Sequence, residues 1–250
     1  MKTEEPVVDI SHFKMVFGNK TVVKDLSFTV NKGEVFGLLG SNGCGKTTTI
    51  RALLGLYTPT SGSLTINGMP YQPDSGAKSL GYLPEERGLY KKEKVLDIMV
   101  YFGKLKGLST TTAKERALSY LKRVGLDSYA NTRLDKLSGG QQQKVQLGVT
   151  IINDPNLLIL DEPTKGFDPV NRRLLMDIVE DHRAAGATVI FITHQMDEVE
   201  RLCDRVLLLK DGVAHAYGSV AAVRKQFNGK SLEDIFLTVY GEQGEEANHA

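Results

Sequence analysis

The sequence predicts an α/β protein built on a mainly parallel sheet. Three short apolar runs, at residues 35–39, 157–160 and 188–193, suit strands that are buried on both faces of a parallel sheet. Helical periodicity follows each run, as the crossover helices of such a sheet require. A chain of 250 residues is long enough to bury one large core with a modest subdomain attached.

The region before the first apolar run has a different pattern. Residues 7–30 alternate polar and apolar side chains around Gly18-Asn19, which predicts an N-terminal antiparallel β subdomain. A second hairpin is predicted where Asp211-Gly212 separates residues 205–209 from residues 213–217.

The middle of the chain has no run typical of a buried strand. Residues 93–153 are predicted to be mainly helical, with Gly107 and Gly125 at the breaks. We therefore expect a helical subdomain, inserted at about residues 86–155, within a domain that covers residues 1–218. Residues 219–250 are expected to form a short helical tail with a disordered end from Gly241.

Composition excludes several classes of partner and location. A formal net charge of +1 gives no global field that would attract nucleic acid, and no dense basic cluster is present, so nucleic acid is not an expected partner. The apolar runs are too short to cross a bilayer, and the first residues lack an apolar signal core. The two cysteines form no framework, which favours a reducing, cytosolic compartment.

The first chemical motif is Gly-x4-Gly-Lys-Thr at residues 40–47, after an apolar strand and before a helical segment. Its glycines let the backbone turn N–H groups toward phosphate oxygens, and the N-terminus of a helix starting near residue 45 adds to the anion site. A lysine and a threonine at its end suit phosphate and Mg²⁺. The alternative is a glycine-rich turn before a helix. The predicted nucleotide contacts are Gly40, Ser41, Asn42, Gly43, Cys44, Gly45, Lys46, Thr47 and Thr48.

Two carboxylates follow the apolar run at residues 157–160. Ligands bind beyond the carboxyl ends of strands in open α/β sheets, so Asp161 is expected to hold Mg²⁺ and Glu162 to act as general base toward water. The alternative is an acidic start to a loop.

A second glycine-containing motif opens another predicted helix. Ser138 suits an N-cap, and Gly139, Gly140 and Gln141 leave a bare backbone at the helix start. The motif is either a plain cap and turn or a second helix N-terminus that presents N–H groups to phosphate. The following apolar residues share one helical face: Val145, Val149 and Ile152.

Taken together and in this order, the motifs resemble the nucleotide-binding subunit of ABC transporters, over about residues 7–218. The resemblance implies a P-loop NTPase with a RecA-like, mainly parallel sheet, which uses ATP and Mg²⁺. It further implies a head-to-tail dimer in which each ATP contacts the loop at residues 40–47 of one chain and the Ser138 segment of the other.

Three further positions match that family. Phe17 resembles the aromatic that stacks on adenine, and it is equally an ordinary hairpin aromatic. Asp168 resembles the aspartate of the dimer interface, and it also suits a helix N-cap before Pro169. His194 resembles the switch histidine that reaches the γ-phosphate, the alternative being a satisfied loop residue. The implied catalytic residues are therefore Lys46, Glu162 and His194.

Two departures from the family pattern stand out. Glu85 occupies a position where glutamine is usual; it keeps an oxygen ligand for Mg²⁺ but adds negative charge near Asp161 and Glu162. A more strongly metal-dependent site is the expected result. Lys165 and Phe167 occupy positions where smaller residues and leucine are commoner in the family. The sequence does not show whether either residue strengthens or weakens the dimer contacts.

The resemblance implies the ATP-hydrolysing motor of a transporter, held at the cytoplasmic face of the membrane by separate transmembrane permease subunits. Residues 81–90 look most like those of bacterial exporters of drugs, sodium ions or surface polymers, and the short tail lacks the regulatory domain of many sugar importers. Tyr90, Val95 and Met99 are either the apolar contact with the permease or core of the helical subdomain.

The alternative from another class is a non-transport ABC ATPase that acts on ribosomes, DNA or complex assembly. Such proteins usually carry two linked domains or long coiled coils, and a compact single domain favours transport. A subunit that only binds ATP is disfavoured by the presence of Glu162 and His194.

Overall fold

The computed structural model describes residues 6–71, 79–86 and 88–241. The chain forms two compact units. The first unit is drawn from Met1–Asp74 and Thr188–Ala250, and the second unit from Ser75–Ala187.

The elements follow in chain order. The strands are β1 (Val8–Phe17), β2 (Lys20–Val30), β3 (Val35–Leu39), β4 (Ser61–Ile66), β5 (Leu80–Leu83), β6 (Leu157–Asp161), β7 (Thr188–Ile192), β8 (Arg205–Lys210) and β9 (Val213–Ser219). The α-helices are α1 (Lys46–Leu53), α2 (Val95–Leu105), α3 (Thr110–Arg123), α4 (Gly139–Ile151), α5 (Pro169–Ala184), α6 (Met196–Leu202), α7 (Val220–Gln226) and α8 (Leu232–Gly241).

The sheet of the first unit has the strand order β4-β1-β2-β9-β8-β3-β7. Strands β1 and β2 are antiparallel around Gly18-Asn19, and β8 and β9 are antiparallel around Asp211-Gly212, which confirms both predicted hairpins. Strand β3 is parallel to β7 and to β8, and every residue of β3 and β7 is buried. The continuous apolar runs therefore mark strands covered on both faces, as predicted.

One polar network supports the middle of this sheet. Arg205 donates a hydrogen bond of 3.0 Å to the Glu34 carboxylate, and its guanidinium lies over the Tyr217 ring at 4.8 Å. Stacked rings of Phe28 and Phe36 lie beside it, with centroids 5.3 Å apart. A largely buried arginine is thus held by a carboxylate and an aromatic face together.

The second unit combines a short parallel strand pair with helices. Strands β5 and β6 pair in register from Leu80 with Leu157 to Leu83 with Leu160. Helices α2, α3 and α4 supply the predicted helical stretch, and α2 approaches α3 closely: a Cβ on Gly103 would lie 2.8 Å from that of Ala113. The unit therefore holds β5, β6 and α5 in addition to the helices expected at about residues 86–155.

Helices α7 and α8 lie in the region where a helical tail was predicted. Disorder from residue 241 was expected, whereas Gly241 is the last residue of α8. Residues 242–250 lie outside the described residues.

Candidate active site

The phosphate loop of the first unit joins β3 to α1. Gly40 has no room for a side chain, because a Cβ there would lie 2.5 Å from the Leu209 carbonyl oxygen and from Cys44 Sγ. Gly45 is the N-cap of α1 at φ 114°, a conformation that favours glycine. The predicted helix start near residue 45 is confirmed, and the first N–H groups of α1 face the loop end.

Lys46 is held inside its own loop. Its Nζ atom donates hydrogen bonds to the carbonyl oxygens of Gly40 at 2.7 Å and Ser41 at 3.0 Å. Only 8% of the residue is exposed, so the ammonium needs these oxygens as partners. Phosphate oxygens are acceptors of the same kind with more charge, which makes Lys46 suited to an anion.

Cys44 lies buried in the same loop, and Cys203 is buried elsewhere in the first unit; both are free thiols. Burial raises the pKa of the Cys44 thiol, although the Lys46 ammonium acts in the opposite direction.

Phe17 ends strand β1 with 44% of its surface exposed. Its ring packs edge-on against Tyr57 with centroids 5.2 Å apart, and Arg51 donates a hydrogen bond of 3.1 Å to the Tyr57 hydroxyl. An exposed, supported ring can stack on a base, and it is equally what a hairpin aromatic looks like. Adenine stacking by Phe17 stays a prediction.

The sequence analysis did not identify Tyr240, which reaches the phosphate loop from α8. Its hydroxyl donates a hydrogen bond to the Leu209 carbonyl, and a Cβ on Gly40 would lie 3.1 Å from that hydroxyl. Lys210 Nζ donates to the Val239 carbonyl at 2.6 Å. Burial raises the pKa of Tyr240. The available sequence signal was Phe236 with Tyr240 four residues later on one helix face.

His194 lies in the first unit, two residues beyond the end of β7, and is exposed. The loop around it is ordered by its neighbours: Gln195 N–H donates to Thr193 Oγ1 at 3.1 Å, and that hydroxyl donates to Glu198 at 3.4 Å. This arrangement keeps the imidazole at the surface. Its contact with a γ-phosphate stays a prediction.

In the second unit, Ser138 caps α4. Ser138 Oγ accepts from the Gln141 N–H at 3.3 Å, and Gln141 Oε1 accepts from the Ser138 N–H at 2.8 Å. This reciprocal capping box confirms the predicted N-cap and leaves Ser138 exposed at the start of the helix. Phosphate contact by Ser138, Gly139, Gly140 and Gln141 stays a prediction.

Asp161 and Glu162 lie at the carboxyl end of β6, as predicted. Both are buried, with 2% and 6% of their surface exposed. Glu162 has φ 48°, which a residue with a Cβ rarely adopts. Strained backbone of this kind is common where a side chain must be aimed for function.

Glu85 extends beyond the neighbouring strand, two residues after Leu83, as Glu162 follows Leu160 by two. The Glu85 carboxylate pairs with Lys165, whose Nζ lies 2.5 Å from Glu85 Oε1. The Glu85 carboxylate, and secondarily that of Glu162, raises the pKa of Lys165. Lys165, the other departure from the family pattern, thus supplies a positive charge beside Glu85. The expected stronger metal dependence of the site stays a prediction.

Phe167 and Asp168 follow in the same turn. Phe167 is 8% exposed, and its ring lies 3.8 Å from where a Cβ on Gly140 would stand, so it packs beside the start of α4. Asp168 caps α5: its Oδ1 accepts from the Asn171 N–H at 2.9 Å, with Pro169 in the first helical position. This hydrogen bond holds the pKa of the Asp168 carboxyl below its usual range. The predicted cap is confirmed, and an interface role for Asp168 stays a prediction.

The candidate residues thus form two groups, one in each unit. The first unit contributes the phosphate loop with Tyr240, together with Phe17 and His194. The second unit contributes the start of α4 with Phe167, and the ends of β5 and β6 with Glu85, Glu162 and Lys165.

The available protein ligands suit a Mg²⁺ ion that is bound mainly through a nucleotide, and they do not suit a metal site built from protein side chains alone. Within residues 6–71, 79–86 and 88–241, three or more His, Cys, Asp or Glu side chains do not gather as a cation site. Mg²⁺ in nucleotide sites uses one or two protein oxygens and completes its shell with phosphates and water. The Thr47 hydroxyl and the Asp161 carboxylate are oxygens of that type.

None of the helices in the described part of the chain has the length and apolar character needed to cross a lipid bilayer.

A glycine-rich loop between a buried parallel strand and a helix, with its lysine at the start of that helix, defines a P-loop NTPase. The family model described as ABC transporter matches residues 23–165. The chain belongs to this family, whose ATP-binding domains are ATPases, and it is an ATP-binding subunit of an ABC transporter.

Curated relatives support this membership. An ABC transporter ATP-binding protein of Methanocaldococcus jannaschii is 43% identical over 236 residues, 92% of this chain and 86% of that protein. The Nod factor export ATP-binding protein I of Rhizobium sp. is 42% identical over 92% of this chain and 76% of its own length. A linearmycin resistance ATP-binding protein of Bacillus subtilis is 36% identical over 94% of this chain and 76% of its own.

A solved structure of the ATP-binding subunit of an ABC transporter has the same fold. It superposes with a TM-score of 0.85 at 28% identity, covering 93% of this chain and 98% of that one.

Proposed function

We propose that this chain is the Mg²⁺-dependent, ATP-hydrolysing motor of a bacterial-type exporter and that it works as a head-to-tail dimer. The observation that carries the proposal is the state of Lys46, whose ammonium is buried among the carbonyl oxygens of Gly40 and Ser41 next to the start of α1. A buried cation at the N-terminus of a helix is suited to bind a polyphosphate.

Each candidate residue then has a chemical role. The backbone N–H groups of residues 40–48 and Lys46 bind the phosphates, and Phe17 stacks on the adenine. Thr47, Asp161 and Glu85 are the oxygen ligands that would hold Mg²⁺, which neutralises phosphate charge when bound.

Hydrolysis needs a general base for the attacking water and a hydrogen-bond donor for the γ-phosphate. Glu162, aimed by its strained backbone, accepts a proton from the attacking water as general base. His194 donates a hydrogen bond to the γ-phosphate. Glu162 is buried at the end of β6, where a fixed carboxylate orients water without rearranging.

The feature that supports the proposed dimer is the exposed start of α4. Ser138, Gly139, Gly140 and Gln141 present a helix N-terminus, with its backbone N–H groups, to the ATP of the second chain. The γ-phosphate is contacted by both chains, and ATP binding therefore closes the dimer. Hydrolysis and release of the phosphate remove these contacts, and the dimer opens.

The direction of transport is taken from the relatives, which are named for Nod factor export and linearmycin resistance. The transport path belongs to separate transmembrane permease chains, which hold this subunit at the cytoplasmic face of the membrane. Nucleic acid has no part in this proposal.

The three sequence-based candidates for the permease contact differ in exposure. Val95 and Met99 are completely buried and belong to the core of the second unit. Tyr90 is 56% exposed and forms an aromatic cluster with Tyr101 and Phe102, with Leu105 exposed nearby on α2. Exposed aromatic clusters of this kind are typical of protein contacts, and we assign the permease contact to this one.

The test of the proposed function is the substitution Glu162→Gln in the purified protein. We expect steady-state ATP hydrolysis to fall by at least about a hundredfold, while ATP still binds and drives dimer formation in size-exclusion chromatography. Lys46→Ala is the contrasting variant, and it should weaken ATP binding itself. Persistent turnover in Glu162→Gln would show that Glu162 is not the base.

The exporter assignment is tested by affinity purification from solubilised membranes. A multi-span membrane protein should copurify with the wild type and be lost with Tyr90→Ala/Tyr101→Ala. Copurification with ribosomes instead would contradict a transport role.

A further inference from the structure

A glutamate follows each of the paired strands β5 and β6 in the second unit. Leu83 pairs with Leu160, and two residues beyond each of them stands a glutamate, Glu85 on one strand and Glu162 on the other. Neighbouring carboxylates disfavour one another's charged forms and repel the phosphates of a nucleotide.

Among the described residues, Lys165 pairs with the first of these glutamates and is close enough to the second to feel its charge. Lys165 Nζ lies 2.5 Å from Glu85 Oε1, and its ammonium also interacts with the Glu162 carboxylate. The local backbone fixes its position, because Lys165 N–H donates to the Glu162 carbonyl oxygen at 3.2 Å in the turn after β6. The lysine therefore comes from the same turn as the proposed base.

The ion pair is poorly suited to a stabilising role. The side chains of Lys165 and Glu85 are 61% and 43% exposed, and exposed pairs contribute little to folding stability. The position of the pair matters more than its contribution to stability, since Lys165 lies within the electrostatic range of both Glu85 and Glu162.

We propose that Lys165 is a positioning residue of the ATPase. Its ammonium holds the Glu85 carboxylate in place and neutralises the charge of that carboxylate beside Glu162. Glu85 and Lys165 then act as one neutral unit toward the incoming Mg²⁺ and nucleotide. This inference rests on the proposed function, in which Glu85 and Glu162 belong to the ATP site.

The proposal predicts opposite effects for the two single variants. Lys165→Met leaves an uncompensated negative charge, so KM for ATP should rise by roughly three- to tenfold and divalent cations should bind more tightly. Glu85→Gln leaves an uncompensated positive charge, so KM for ATP should fall and divalent cations should bind more weakly. In the double variant, KM for ATP should move back from the Lys165→Met value toward that of wild type, because neither charge is left without its partner.

The experiment is this double-mutant cycle, with Lys165→Arg as the conservative control that keeps the charge. KM and kcat are measured at low and high salt, where the KM shifts should shrink with added salt. Binding of Mn²⁺ in the presence of a non-hydrolysable ATP analogue, followed by electron paramagnetic resonance, gives a readout independent of turnover. Thermal unfolding without nucleotide should be almost unchanged in all variants.

Two results would overturn the proposal. One is KM shifts in the same direction for Lys165→Met and Glu85→Gln, and the other is a double variant whose KM for ATP stays as far from the wild-type value as that of Lys165→Met. Failure of the proposed function has a different signature, because it would appear as persistent turnover in Glu162→Gln whatever the cycle shows.

Discussion

The hydroxyl of Tyr240, near the end of α8, donates a hydrogen bond to the main-chain carbonyl of Leu209 at the side of the phosphate loop. The last helix of the described chain is thus anchored next to Gly40, whose Cα hydrogens face the same hydroxyl. The tail is part of the surroundings of the nucleotide loop.

Tyr240→Phe removes this hydrogen bond and keeps the ring. We expect the free energy of unfolding to fall by about 1 kcal/mol, because one partly buried hydrogen bond is lost. ATP binding should also weaken measurably, since the loop loses a lateral support. Denaturant unfolding and titration with a fluorescent ATP analogue check both effects. Tyr90→Phe, at an exposed tyrosine of the second unit, is the matched control and should change neither.

Gly148 on α4 leaves space for the buried ring of Tyr120. A Cβ at residue 148 would lie 2.3 Å from that ring, so Gly148→Ala forces the ring or the helix to move. We expect a loss of roughly 1–3 kcal/mol in the free energy of unfolding, measured in denaturant. Gly140→Ala on the same helix is the control: its Cβ would meet only Phe167, at 3.8 Å. Equal stability of the two variants would contradict the packing described here.

Lys106 gives the stability a specific pH dependence. Burial lowers the pKa of Lys106 from 10.5 to about 8, while its Nζ donates to the Thr150 carbonyl at 2.6 Å. Between these two pH values the unfolded chain binds more protons than the folded one, so the stability of the folded state rises with pH.

The comparison that isolates this effect is wild type against Lys106→Met. Relative to this variant, the wild type should gain about 2 kcal/mol of unfolding free energy between pH 7.5 and 9.5. Lys104→Met, at an exposed lysine two residues earlier in the last turn of α2, is the control. A difference between wild type and Lys106→Met that does not change with pH would rule out the lowered pKa.

The head-to-tail dimer predicts complementation between two inactive variants. Lys46→Ala disables the phosphate loop and Ser138→Arg disables the segment that faces the partner's ATP. A mixed dimer carries both defects in one site and leaves the other intact, so a one-to-one mixture should recover about a quarter of wild-type ATPase activity. Wild-type activity should also rise more than linearly with protein concentration. A mixture as inactive as its components would contradict this arrangement.

Local features of the chain were predictable from sequence, because their causes lie within a few residues. The hairpin turn at Gly18-Asn19, the start of α1 after Gly45 and the caps Ser138 and Asp168 all follow from backbone conformation and short-range hydrogen bonds. The buried strands followed from uninterrupted apolar residues in the same way.

Contacts that depend on strand register and helix packing were not predictable. Glu85 and Lys165 are 80 residues apart, and Tyr240 and Leu209 are 31 apart, so no local pattern links them. For Val95 and Met99 the sequence left two alternatives open, a permease contact and the core of the helical subdomain, because an apolar pattern does not show what covers it. Their complete burial supports the core.

The order in which the ribosome makes this chain has a consequence for folding. Strand β3 leads into the phosphate loop and pairs on its two sides with β7 and β8. Both partners are translated only after the whole second unit, so a growing chain that ends before Thr188 holds β3 without either neighbour. Pairings this distant in sequence close late. Phosphate binding is therefore among the last properties the nascent chain acquires, although its residues are among the first to be made.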